Sequence, residues 1–157
     1  MKRVEVTTCI EVVKYDELSS MEQRMVDEAR KAATQAYAPY SKFHVGTAIA
    51  LSNGEIVTGA NQENVAYPSG MCAERVACYY AHAQYPEAKF EAIAIAAQGV
   101  DGAEVALPVS PCGSCRQAML EYEKLAEGDI KVILVGAEDI YVVPSVKSLL
   151  PLAFTEF

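Results

Sequence analysis

Apolar positions along the chain change period several times, and each change marks an element. Residues 4–13 (VEVTTCIEVV) are rich in β-branched side chains and partly alternate, which predicts a strand. Met21, Met25, Val26, Ala29, Ala32, Ala33 and Ala36 recur on one helical face. They predict a helix from about Met21 to Tyr37, capped by Ser19-Ser20 and stopped by Pro39. Residues 43–51 read as a strand, Asn53-Gly54 as a hairpin turn and 55–61 as the returning strand. A helix is expected over 72–84, a buried strand over 90–97 and, after Pro111, a second short helix over 112–125. Residues 130–135 are another apolar strand, followed by a short one near Tyr141–Val143. Ser145 can cap a last helix through Leu150, ended by Pro151.

The resulting order, β-α-β-β-α-β-α-β-β-α, places buried strands after helices. That pattern suggests crossover connections and a mixed sheet covered on both faces. At 157 residues the chain has the size of one domain, and it shows no internal repeat, low-complexity tract or linker. Residues 99–110 read as an exposed loop in which Val105–Val109 can dock as strand. The apolar stretches are short and interrupted by charge, so no membrane span is expected. Met1-Lys2-Arg3-Val4-Glu5 has no uninterrupted apolar run behind it, and the expected location is cytoplasmic.

Charge narrows the partner. Thirteen Lys and Arg against twenty-one Asp and Glu give −8. Polynucleotide binding draws its affinity from neutralised phosphates, and this chain has no run of basic residues to supply it. No glycine-rich phosphate loop is present either. A small uncharged molecule fits this balance better than a nucleic acid.

Cysteine usage brings in the chemistry. The five cysteines are Cys9, Cys72, Cys78, Cys112 and Cys115, an odd number that argues against a disulfide framework. Two motifs stand out, Cys72-Ala73-Glu74-Arg75 and Pro111-Cys112-Gly113-Ser114-Cys115. Each falls where a helix is expected to begin, and a helix N-terminus stabilises thiolate. Cys112 and Cys115 are spaced i, i+3 and can face one point. Cys72 and Glu74, two apart, would diverge in mid-helix, so Cys72 is required to lie at the very first turn. Three thiolates leave one position of tetrahedral zinc open, as in catalytic sites, and such a metal lowers the pKa of water to about 7. Glu74, beside a ligand, is the candidate to move the proton. Arg75 can offset the excess negative charge by hydrogen-bonding the sulfurs. Structural zinc, with Cys9 or Cys78 as fourth ligand, and thioredoxin-like redox chemistry are the competing readings of Cys-x-x-Cys. Cys9 and Cys78 are otherwise read as buried small hydrophobes.

These residues are the all-cysteine form of the zinc deaminase signature. With Ala38-Pro39-Tyr40-Ser41-Lys42-Phe43-His44-Val45-Gly46, Asn61-Gln62-Glu63-Asn64-Val65-Ala66-Tyr67-Pro68 and the run through Arg116-Gln117, the chain from about residue 20 onward closely resembles small homotetrameric cytidine deaminases. The resemblance implies a three-layer α/β/α sandwich around a five-stranded mixed sheet. Residues 1–18 then form an N-terminal strand extension ahead of a 19–157 domain. It implies one zinc per subunit on Cys72, Cys112 and Cys115, with Glu74 as acid and base. It further implies hydrolysis of cytidine and 2′-deoxycytidine in pyrimidine salvage. Asn61 and Glu63 take ribose-binding roles, which suits an extended segment where i and i+2 share a side. Phe43 is expected to pack near base and sugar. The Ala73 N–H is expected to meet the base carbonyl, and the Ser110 carbonyl the departing amino group. Tyr67 lies where the family builds part of the site across a subunit boundary, and Phe154 resembles an aromatic that reaches a neighbouring site. His44 and Gln62 occupy variable positions. Other readings are a deaminase of a modified or antibiotic aminonucleoside, of the blasticidin type, a polynucleotide editor and a non-catalytic zinc-stabilised binding protein.

Overall fold

The computed structural model describes residues 1–155. Its strands are β1 (Glu11–Val13), β2 (His44–Leu51), β3 (Ile56–Ala60), β4 (Phe90–Gln98), β5 (Lys131–Val135) and β6 (Ile140–Val143). Its helices are α1 (Ser20–Ala33), α2 (Ala73–Gln84) and α3 (Gly113–Ala126). The strands form one sheet in the order β1-β6-β5-β4-β2-β3. The β4–β5 pair is parallel and the other pairs are antiparallel. A parallel pair needs a crossover, and α3 supplies it.

Period-two alternation sorts the side chains between two cores. Ala48, Ala50, Ala94, Ala96, Ile133 and Val135 pack toward Met25, Val26 and Ala29 of α1. Ile49, Ile93, Ile95, Val132 and Leu134 pack on the opposite face with Ala77, Cys78 and Ala81 of α2 and Cys115 and Met119 of α3. One helix above the sheet and two below make three layers. Two glycines set how closely the helices approach. A Cβ on Gly46 would lie 2.1 Å from the Ala29 carbonyl oxygen of α1, and one on Gly59 would lie 2.6 Å from the Ala77 nitrogen of α2.

The sheet has six strands rather than five, because the end of the N-terminal extension pairs along β6 as β1. That strand covers only residues 11–13 of the expected 4–13. The register Glu11↔Val142 carried backwards sets Cys9 opposite Pro144, which has no N–H to give. Cys9 is consequently exposed, not buried as expected, whereas Cys78 is fully buried. The first helix stops at Ala33 instead of Tyr37. Tyr37 N–H donates to the Asn61 carbonyl and Glu63 N–H to the Tyr37 carbonyl, so tertiary pairing outcompetes helix continuation. The expected last helix is a single 3-10 turn, Lys147–Leu149, in the short stretch between Pro144 and Pro151, too few residues to propagate a helix. Residues 99–110 form no strand, although Val105 N–H bonds the Ala97 carbonyl. Among the described residues no helix is long and apolar enough to cross a membrane.

Candidate metal centre and its cleft

Cys72 is the N-cap of α2 and Cys112 the N-cap of α3, both with extended backbone. The first-turn position required of Cys72 is therefore the one it occupies. Cys115 lies buried in the first turn of α3. Packing α2 beside α3 on one face of the sheet brings two helix N-termini together, and the three sulfurs lie within 4.8 Å of one another. Tetrahedral zinc with bonds of about 2.3 Å to sulfur holds such atoms about 3.8 Å apart, so the set fits that ion with small adjustment. The hydrogen bond from the Cys115 thiol is the main influence on Cys72; with help from Arg75 it outweighs desolvation and holds Cys72 at about 5. The same bond, with burial, pushes Cys115 upward. Arg75 Nη2 lies 3.8 Å from Cys72 Sγ, while its buried Nε has no partner among the described residues. Burial pushes the Cys78 thiol up, which suits an inert core residue outside the cluster.

Glu74 follows one residue inside α2 and is only 4% exposed. Burial raises its pKa above the ordinary carboxylate value, and the neighbouring Cys72 charge adds to the rise. Glu74 does not line the adjoining cleft of about 570 Å³, which its neighbours Cys72 and Arg75 line together with Tyr40, Ser41, Asn61, Glu63, Tyr67 and Met71, among others.

Asn61 and Glu63 both reach this cleft, and both also brace the chain. Asn61 Oδ1 accepts from Val45 N at 2.7 Å and Nδ2 donates to the Phe43 carbonyl at 3.0 Å. Glu63 Oε2 accepts from Tyr40 N at 2.8 Å and Ser41 N at 3.2 Å. Those bonds hold a corner in which Lys42 takes a left-handed φ of +58°. Hydrogen bonding from Ser41, then from the backbone, keeps Glu63 below the ordinary carboxylate range. The sequence offered no sign of this brace; Pro39 was legible only as the stop of the first helix.

Other candidates are placed differently. Tyr67 is 78% exposed at the cleft mouth, edge-on to Tyr40 at 6.2 Å. Phe43 is half-buried and Ala73 fully buried; neither lines the cleft. Ser110 is exposed just ahead of the Cys112 cap. Phe154 folds back on its own α3, its carbonyl accepting from Gln117 Nε2 at 2.8 Å, and lines a separate cleft along that helix. His44 carries a buried Nδ1 with no hydrogen-bond partner among the described residues, and Gln62 bridges Tyr37 and Met71 through its backbone.

Comparison with known proteins agrees with this geometry. The family model of the cytidine and deoxycytidylate deaminase zinc-binding region matches residues 19–127. A cytidine deaminase of Halalkalibacterium halodurans is 41% identical over 85% of this chain and 93% of its own length. One of Sporosarcina psychrophila is 39% identical over 85% and 91%. The crystal structure of cytidine deaminase from Burkholderia pseudomallei superposes with a TM-score of 0.72 at 35% identity, covering 87% of this chain and all of that one. That from Mycobacterium tuberculosis gives 0.67 at 30% identity, over 88% and 100%. A match of this extent, centred on a sulfur cluster built for zinc, means that the chain belongs to the cytidine and deoxycytidylate deaminase family, hydrolases that act on carbon–nitrogen bonds.

Proposed function

We propose that the chain converts cytidine and 2′-deoxycytidine to the corresponding uridines with release of ammonia, a salvage reaction on free nucleosides. The observation that carries this reading is one juxtaposition: buried Glu74 beside three convergent sulfurs, next to a cleft walled by Asn61 and Glu63. The cleft volume suits a nucleoside, and relatives covering most of the chain are named cytidine deaminases.

Zinc held by Cys72, Cys112 and Cys115 would supply a Lewis-acidic centre that lowers the pKa of water. The protein's own residues do the rest. Glu74, whose carboxyl burial pushes above the ordinary carboxylate value, is the group suited to accept a proton and return it. It takes one proton from water and gives it to the ring nitrogen beside the amino-bearing carbon. Water oxygen bonds to that carbon, Glu74 passes the second proton to the amino group, and the carbon–nitrogen bond breaks to free ammonia. Asn61 uses one acceptor site and one donor on Val45 and Phe43, which leaves one of each for a ribose hydroxyl. Glu63, held ionised, offers an acceptor beside it. Arg75 offsets the charge of the thiolates. Phe43 and the Ala73 N–H would meet base and sugar only from beneath the cleft lining. Tyr37, Tyr40, Val65 and Tyr67 are exposed, and Tyr40 and Tyr67 among them line the cleft; we assign these residues to contact between copies in a homotetramer. Phe154 is a further candidate for such contact.

Zinc stoichiometry and the ultraviolet change on cytidine, deoxycytidine, free cytosine and blasticidin-type nucleosides test the proposal together. One zinc per chain with turnover greatest on the plain nucleosides is expected. Zinc without turnover on any of them would leave a binding protein, and turnover confined to the antibiotic would move the substrate.

A further inference from the structure

The three sulfur ligands are not equally restrained. Cys115 is buried in the core and Cys72 is hydrogen-bonded by Arg75, whereas Cys112 is exposed. Among the described residues its sulfur meets only the other two sulfurs, and its backbone is held by Arg116, the fourth residue of α3. A cation in the first turn opposes the helix dipole, so its presence there calls for a specific partner. The side chain turns back on the corner. Nε donates to the Pro111 carbonyl at 2.8 Å and Nη1 to the Leu149 carbonyl at 2.7 Å. The backbone N–H of the same residue donates to the Cys112 carbonyl at 2.9 Å.

Pro111 C=O and Cys112 C=O belong to the two peptide planes that flank the Cys112 Cα. With both planes held, the Cys112 backbone is fixed at φ −66° and ψ 165°, and the direction of its Cα–Cβ bond follows. The third bond supplies an anchor. Leu149 closes the 3-10 turn whose neighbouring amides, Val146 N and Lys147 N, donate at 2.6 and 3.0 Å to the buried carboxylate of Glu123, also on α3. The guanidinium therefore ties the Cys112 corner to a segment already clamped to the same helix.

The geometry points to Arg116 as a positioning residue for the Cys112 ligand, one that governs how long the zinc is retained. This rests on the three-cysteine zinc site but not on the identity of the substrate. The test is the rate of zinc transfer from fully loaded protein to a chromophoric chelator, measured well below each variant's Tm. Arg116→Gln should release zinc at least about tenfold faster than the parent, the scale seen when partners of metal ligands are removed. Arg116→Lys, able to reach only one of the two carbonyls, should fall between them. Leu120→Ala, a core truncation on the same helix, controls for lost stability and should release zinc at the parental rate.

If release follows Tm alone, with Leu120→Ala and the Arg116 variants on one line, the assignment fails. If Arg116→Gln does not fold, Arg116→Lys decides: a parental release rate overturns the proposal. A protein that shows the expected release rates and yet leaves cytidine untouched would sink the function proposed above and leave this one standing.

Discussion

Cys72 lines the cleft and, with Glu74 and Cys115, sits on helices packed against the sheet. Along the cleft wall, Asn61, Glu63 and Tyr67 sit on the segment between β3 and α2, whose own structure is a few bridging hydrogen bonds and one 3-10 turn. The difference shows in exposure. Glu74 and Cys115 are buried, and Tyr67 and Val65 are each 78% exposed. It shows in hydrogen bonding as well. The sulfurs and Arg75 bond among themselves, whereas Asn61 and Glu63 hold the backbone of residues 40–45. Chemistry that must be preorganised is placed on the rigid layer, and the part that must admit a nucleoside is placed on the layer that can yield. Changes at the buried end should therefore act on rate or global stability, and changes on the wall on binding.

The largest effect expected is at Glu74. Glu74→Gln keeps the shape and removes the proton shuttle, so kcat should fall by roughly 10²–10⁴-fold while bound zinc stays stoichiometric. Near-parental kcat in the variant would remove Glu74 from the mechanism and erase the chemical meaning of the contrast. The scaffold beneath it is probed by Gly59→Ala. The added methyl would meet backbone of α2 at 2.6 and 2.9 Å, so the helix carrying Cys72 and Glu74 must shift. Urea unfolding should show a loss of about 3 kcal/mol, typical of severe overpacking.

The wall responds on a smaller scale and should split in two. Asn61→Ala loses two bonds to half-buried backbone and should cost about 1–3 kcal/mol in addition to raising KM. Glu63→Gln sits in a more open place and should raise KM with Tm little changed. If both variants change Tm equally and leave KM alone, the wall is bracing and does not bind the sugar.

The two ends were not equally legible from the chain. Ligand identity and the first-turn placement of Cys72 followed from spacing and helix geometry, because those are local constraints. Hydrophobic period likewise placed β2, β4, β5 and the two cysteine-bearing helices. The misses came where distant segments decide. Residues 34–37 carry a helical pattern, yet the amides of 34–36 tighten to i−3 carbonyls at the end of α1 and that of Tyr37 is taken by the Asn61 carbonyl. Residues 4–10 carry a strand pattern, yet β6 ends at Val143, just before Pro144, and leaves them no ladder. Asn61 and Glu63 could be picked out by motif, but their grip on residues 40–45 depends on a register that no local pattern encodes. Cys9 shows the same limit, since a β-rich neighbourhood does not bury a residue without a partner strand.

The smallest effect asks whether the scaffold titrates separately from the site. Glu22 closes the capping box of α1, accepting from Ser19 N at 2.9 Å, and pairs with Lys131 of β5 at 2.7 Å. Partial burial works against its ionisation, but the bonds from Lys131 and Ser19 prevail and hold the carboxyl at about 2, below the ordinary 4.5. A carboxylate with a lowered folded pKa stabilises the native state above the unfolded value and loses that contribution as pH falls through the folded one. The window is therefore about pH 5 down to 2, and after allowance for solvent screening the contribution is about 1 kcal/mol. Urea titrations of the parent and Glu22→Gln should differ by that amount at pH 7 and converge toward pH 2, with kcat at neutral pH unchanged. A stability difference that is the same at pH 7 and pH 3 would show that the Glu22 charge contributes nothing. A change in kcat at neutral pH would show that the α1 face of the sheet is coupled to the site on the other face, against the separation of rigid end from yielding wall.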